Sequence, residues 1–228
     1  MAMNKIAFSK LHTRKLLVLI ILVSSFLMQG CIEIVEDINI NQNQSGTLTI
    51  SINTGGGNNI FLALLGQYAD LSFIDEIRTN ALIAKDRLRN QEGISNVSFS
   101  GSPQKGSLQI SFDFEDDEAL NEALYAIADY EKPFWQSGIY KINKHKFVRK
   151  NTTPWIKLLI KQEEDNIPDD VLFDLIEIKT IVHIPAKAKK LWRASNVTAS
   201  NGDRTFTTSN NLSDLMDEKR NTRIKIRY

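Results

Sequence analysis

The chain has 228 residues, 42% of them hydrophobic, with 28 Lys and Arg against 27 Asp and Glu. That length holds one large domain or two small ones with a proper core, and the near balance of charge gives no basic footprint of the kind nucleic-acid binding needs. With a single cysteine, Cys31, no intramolecular disulfide can form, so packing and backbone hydrogen bonds must supply the stability.

The first thirty residues differ from the rest. All four of their charges are basic (Lys5, Lys10, Arg14 and Lys15), and the first acid is Glu33. An apolar run of 13 residues follows, from Leu16 to Met28. It is too short to cross a hydrocarbon core of about 30 Å at about 1.5 Å per residue. A basic segment followed by a short apolar one predicts a secretory signal rather than a membrane anchor. The run closes on Leu27-Met28-Gln29-Gly30-Cys31, which resembles the lipobox of bacterial lipoprotein signals. That resemblance implies acylation of the Cys31 thiol and cleavage after Gly30, leaving residues 31–228 as the mature chain. Two or more acyl chains hold a protein stably at a membrane where one does not. Ile32 follows the cysteine in place of the Asp that marks inner-membrane retention in enteric bacteria, which favours the outer membrane. The mature chain then has three more acids than bases.

Ile32, Ile34, Ile38 and Ile40 alternate with polar residues, as do Leu48, Ile50 and Ile52. With the polar turn 42–46 between them they predict a hairpin. The run Gly55-Gly56-Gly57 reads as a flexible loop, because no P-loop ending follows it. Residues 60–71 are apolar and suit a buried helix or a lipid-binding wall. Ile74, Ile77, Ala81, Ala84 and Leu88 fall at helical spacing. Val97 and Phe99, then Leu108, Ile110, Phe112 and Phe114, predict a second hairpin. Asp116 or Asp117 caps a helix that runs to about Tyr130. Tyr140, Ile142, Phe147 and Val148 mark a third hairpin, rich in bases. Thr153-Pro154 opens another helix. Ile176 to Ile184 alternate as a long strand, and shorter strand-like pieces lie at 191–194, 204–207 and 224–228.

The order hairpin then helix occurs three times, over 32–91, 94–130 and 139–174. The expected fold is α+β: an antiparallel sheet of repeated hairpin–helix units with the helices packed on one face. Strands from about 176 would complete that sheet or form a small C-terminal β lobe. Two stretches also resemble the LppM-like domain of bacterial envelope lipoproteins. One is Cys31-Ile32-Glu33-Ile34 with Ser45-Gly46-Thr47-Leu48-Thr49. The other runs from His183-Ile184-Pro185 through Ser195-Asn196, Asn201-Gly202 and Thr205-Phe206 to Leu212. The resemblance implies an envelope protein and brings no catalytic residues with it.

No spacing of nucleophile, base and acid marks a known catalytic motif. The two histidines of the mature chain, His145 and His183, lie in different settings and predict no metal site, and nothing calls for a cofactor. The acids at 113–118 and 163–170 read as solvated helix ends. The basic segment is the candidate contact surface: Lys141, Lys144, Lys146, Arg149 and Lys150, with Tyr140 and Phe147 supplying apolar area. Lys187, Lys189, Lys190 and Arg193 near Trp192 form a second basic group. Lysines also protect sheet edges from aggregation, so both groups have a purely structural reading. The expected function is a non-enzymatic binding or scaffold module, anchored through Cys31, whose partner is anionic lipid, glycan or another envelope protein. The alternative is a lipid- or glycan-active enzyme, which convergent carboxylates or a buried His–acid pair would favour, whereas a closed core with no polar cleft would favour the binding module.

Overall fold

The computed structural model describes residues 32–54, 72–102, 106–129, 138–162, 170–192 and 196–228. The signal segment, Cys31, the glycine run, the apolar stretch 60–71 and Arg193 lie outside the described residues.

Period-two alternation produces strands wherever it occurs. β1 (Ile32–Ile40) and β2 (Gly46–Thr54) form the first hairpin. After α1 (Ser72–Arg89), β3 (Ile94–Ser102) and β4 (Ser107–Phe114) form the second, and β4 pairs with β2. α2 (Asp117–Ile127) follows, then a third hairpin of β5 (Tyr140–Asn143) and β6 (Lys146–Arg149). The remainder runs α3 (Thr153–Gln162), a 3-10 helix (Asp170–Leu175), β7 (Ile176–His183), β8 (Lys190–Trp192), β9 (Val197–Ser200), β10 (Thr205–Asn211), α4 (Leu212–Met216) and β11 (Ile224–Arg227). The fold is α+β, mostly sheet, with largely antiparallel pairing.

Among the described residues the strands make two sheets rather than one. The large sheet has the order β3-β4-β2-β1-β7-β10-β9, and the small one β5-β6-β11-β8. The third hairpin therefore stands apart from the first two, and the strands after residue 176 divide between the sheets. One pair, β1 with β7, is parallel. A tight turn fixes antiparallel pairing only between consecutive strands. A strand arriving from late in the chain can lie either way along β1, because the intervening chain supplies the crossover.

One row shows how the alternation builds the core. Phe112, Leu48, Ile38, Val182 and Phe206 are register partners across five adjacent strands, and each is at most 2% exposed. Ala84 and Leu88 of α1 and Leu120, Ala123 and Leu124 of α2 join the same cluster. So do Tyr140, Ile142 and Phe147 of the third hairpin and Ile224 and Ile226 of β11. α2 starts at Asp116, whose carboxylate accepts the backbone N–H of Glu118 and Ala119 at 3.0 and 2.9 Å, which satisfies two of the helix's orphan donors. Its buried Asn121 clamps the small sheet: the amide oxygen accepts the Tyr140 N–H at 2.8 Å and the amide nitrogen donates to the Tyr140 carbonyl at 2.9 Å. Gly138 allows this approach, since a Cβ there would lie 2.4 Å from the Asn121 amide.

Candidate functional site

The small sheet separates charge by parity. Tyr140, Ile142, Phe147, Arg149, Ile224 and Ile226 face inward and are buried. The intervening residues face out, and the register aligns them in two rows: Lys141, Val148, Lys225 and Trp192, then Asn143, Lys146, Arg227 and Lys190. None of the strand residues of this sheet is acidic. The indole of Trp192 holds two ammonium groups, with Lys190 Nζ and Lys225 Nζ each 4.8 Å from its ring centroid, within the range of a cation–π contact. Lys144 sits exposed in the β5–β6 turn. Burial lowers the Lys150 pKa, and the charge of Lys141 lowers it further.

Lys141, Lys144, Lys146 and Lys150 reach the surface, the first two exposed and the last two half-buried. Tyr140, Phe147 and Arg149 do not, and this corrects their assignment as contact residues. They are 2%, 0% and 5% exposed, because their parity in the strand turns them toward the core. Phe147 packs against Tyr140, with ring centroids 5.8 Å apart. Arg149 is engaged by Glu36 of β1: Nη2 lies 2.6 Å from Oε2 and Nε donates to the same oxygen at 2.8 Å. Arg149 Nη1 donates to the Thr222 carbonyl at 2.9 Å, and Thr180 of β7 donates to Glu36 at 3.2 Å. The Tyr140 hydroxyl donates to the other oxygen of Glu36. Burial pushes the Tyr140 pKa well above its ordinary value, and the neighbouring Glu36 charge adds to this. For Arg149 burial is the largest influence and works against the charge, but Glu36 and Tyr140 together outweigh it and hold the guanidinium protonated beyond its usual range. This cluster ties the large sheet to the small one. Its sequence signal was a charge in an apolar row: Glu36 shares parity with Ile34 and Ile38, and Arg149 with Phe147.

A second feature lies on the polar face of the large sheet. An open cleft of about 640 Å³ is lined by Asp37, Asn39, Thr47, Thr49, His183, Asn201, Arg204 and Thr205, with Ile40, Ile184 and Pro185 as its apolar part. His183 Nε2 lies 3.1 Å from Asp37 Oδ1, and its Nδ1 lies 3.1 Å from the Thr205 hydroxyl. Sequence reading placed His183 on a strand without a partner, because Asp37 and Thr205 reach it only through the β1–β7 and β7–β10 pairings.

No protein-family model and no curated protein matches this chain. Among solved structures it is similar to the folded domain of the Mycobacterium tuberculosis LppM protein, determined by NMR. The TM-score is 0.39 and the identity 10%, over 88% of this chain and 91% of that one. A superposition of that quality assigns no function.

Proposed function

We propose that the protein is an envelope lipoprotein, anchored in the outer membrane through acylated Cys31, whose small sheet rests on an anionic lipid surface as a binding module. The observation that carries this reading is the outer face of that sheet: Lys141, Lys146, Lys190, Lys225 and Arg227 around Trp192, with no acid among its strand residues. A basic residue close to an anionic bilayer contributes about 1 kcal/mol, screened by salt over a Debye length of about 10 Å at 0.1 M. Lysine stems and an indole are suited to such an interface, since each has an apolar body and a polar tip. The Lys141 charge, which after burial is the second cause of the lowered Lys150 pKa, is offset when an anion approaches. The lipobox resemblance supports the anchor, with β1 starting at Ile32, directly after Cys31.

The test uses a variant that begins at Ile32, so that no acyl chain contributes, mixed with neutral and with anionic vesicles. The wild-type sequence should bind only the anionic vesicles and release at high salt. Substitution of Lys141, Lys146, Lys190 and Lys225 by Gln should remove most of that binding. Binding that is absent, or that survives the fourfold substitution, would refute the reading.

A further inference from the structure

We propose that Asp37, His183 and Thr205 form a hydrolytic site for small carboxylic esters, with Thr205 Oγ1 as the nucleophile. This inference stands apart from the membrane reading, since it concerns the other sheet. It starts from the hydrogen-bond logic of the imidazole. A carboxylate only accepts, so Asp37 Oδ1, 3.1 Å away, favours the tautomer with the proton on His183 Nε2. In the neutral ring Nδ1 is then bare and must accept, and the Thr205 hydroxyl at 3.1 Å is its donor. In this tautomer the ring is poised to take the hydroxyl proton. These are the roles that define a triad, whatever the chain order or fold.

The chain of contacts is held rigidly and stays open to solvent. Thr205 and His183 are register partners on adjacent strands, and Asp37 lies on the strand to the other side of His183. The His183 and Asp37 side chains are 38% and 40% exposed, so a ligand in the cleft can reach them. Arg204 and Asn201, from the β9–β10 turn, line the same cleft. Their side chains carry the N–H groups that can meet charge developing on a carbonyl oxygen, and Pro185 adds apolar area to the cleft. In the reaction Thr205 Oγ1 attacks the ester carbonyl carbon as its proton passes to His183 Nδ1. The bond from that carbon to the alcohol oxygen breaks, and His183 returns the proton to the departing alkoxide. Water then attacks the acyl-threonine with His183 again as base, which releases the carboxylic acid and restores the hydroxyl. No oxidant, reductant or metal is needed. Thr205 and His183 are the catalytic residues, and Asp37 is a positioning residue.

The test is hydrolysis of p-nitrophenyl acetate by the full chain in detergent, read by p-nitrophenol release and by peptide mass spectrometry after a quench. The proposal expects an acetyl group on Thr205. It also expects at least about a 100-fold loss of rate in His183→Gln and Thr205→Val, and a rate retained in Thr205→Ser. Asp37→Asn should lower kcat with little change in KM, because an amide donating to Nε2 moves the ring proton onto Nδ1. Acetyl found only on His183 or on lysines would overturn the proposal, whether or not the variants fold. So would a wild-type rate no greater than that of free imidazole at the same concentration, or full activity in a folded Thr205→Val.

Discussion

Glu36 and Arg149 carry opposite charges from inward-facing positions on different sheets, and they meet in the interior. The arginine is 5% exposed and the Glu36 side chain 14%. Desolvation of such a pair is costly, and its attraction offsets that cost only while both partners are present. Removing one partner should therefore destabilise by about 3–5 kcal/mol. Arg149→Met and Glu36→Met should each show a loss of that order in denaturant titration, and the double variant should lose much less than their sum. Additive losses would mean that the two charges do not interact. Tyr140 adds a pH dependence. Its folded-state pKa lies well above the ordinary 10.0, through burial first and the Glu36 charge second. The folded chain thus keeps this proton at pH values where the unfolded chain has released it. The resulting stability is fully present below about pH 10 and is lost as pH rises from there through the folded value. The alkaline fall in unfolding free energy should be shallower in Tyr140→Phe, and equal slopes would contradict the assignment.

At the scale of the element, apolar parity was the dependable signal. It placed Leu108, Ile110, Phe112 and Phe114 on one face of β4, and that face is buried while Gln109 is exposed. Phe112→Ala should cost about 3–5 kcal/mol and Gln109→Ala far less, by chemical denaturation, whereas equal costs would refute the register. The cap was legible to within one residue, as Asp116 or Asp117, because an acid before an apolar run with helical spacing has few other uses, and Asp116 is the one that serves. Two elements escaped. β9 (Val197–Ser200) has only one large apolar residue, and α4 is 5 residues long, too short to show a period. The basic hairpin was legible as a hairpin, but the depth of its faces was not. Tyr140, Phe147 and Arg149 were grouped with the lysines by proximity in sequence, whereas strand parity sends them to the opposite side. Had parity been applied to Arg149 as it was to Phe112, its burial would have been expected.

At the scale of the whole molecule, partnership between strands was the part a single sequence could not give. Alternation says which face of a strand is buried and not which strand lies beside it. The parallel β1–β7 pair, the separation of the third hairpin into a small sheet and the addition of β11 to that sheet all depend on contacts between distant segments. The functional features depend on the same contacts. Lys225 and Arg227 join the basic face only because β11 pairs with β6 and β8, and Asp37 meets His183 only because β7 lies beside β1. The small sheet thus presents a basic face and the large sheet a polar cleft, which allows surface contact and chemistry to be tested independently. The central claim is that the outer face of the small sheet lies on anionic lipid. A chain beginning at Ile32 contains no native cysteine, so a nitroxide can be placed at Val148→Cys, between Lys141 and Lys225, or at Gln109→Cys on β4 of the large sheet. Electron paramagnetic resonance with a water-soluble relaxation agent then reads accessibility with and without anionic vesicles. On anionic vesicles the Val148 label should become shielded and recover at high salt, while the Gln109 label should stay accessible. Shielding of the Gln109 label instead, or no change at Val148, would contradict it.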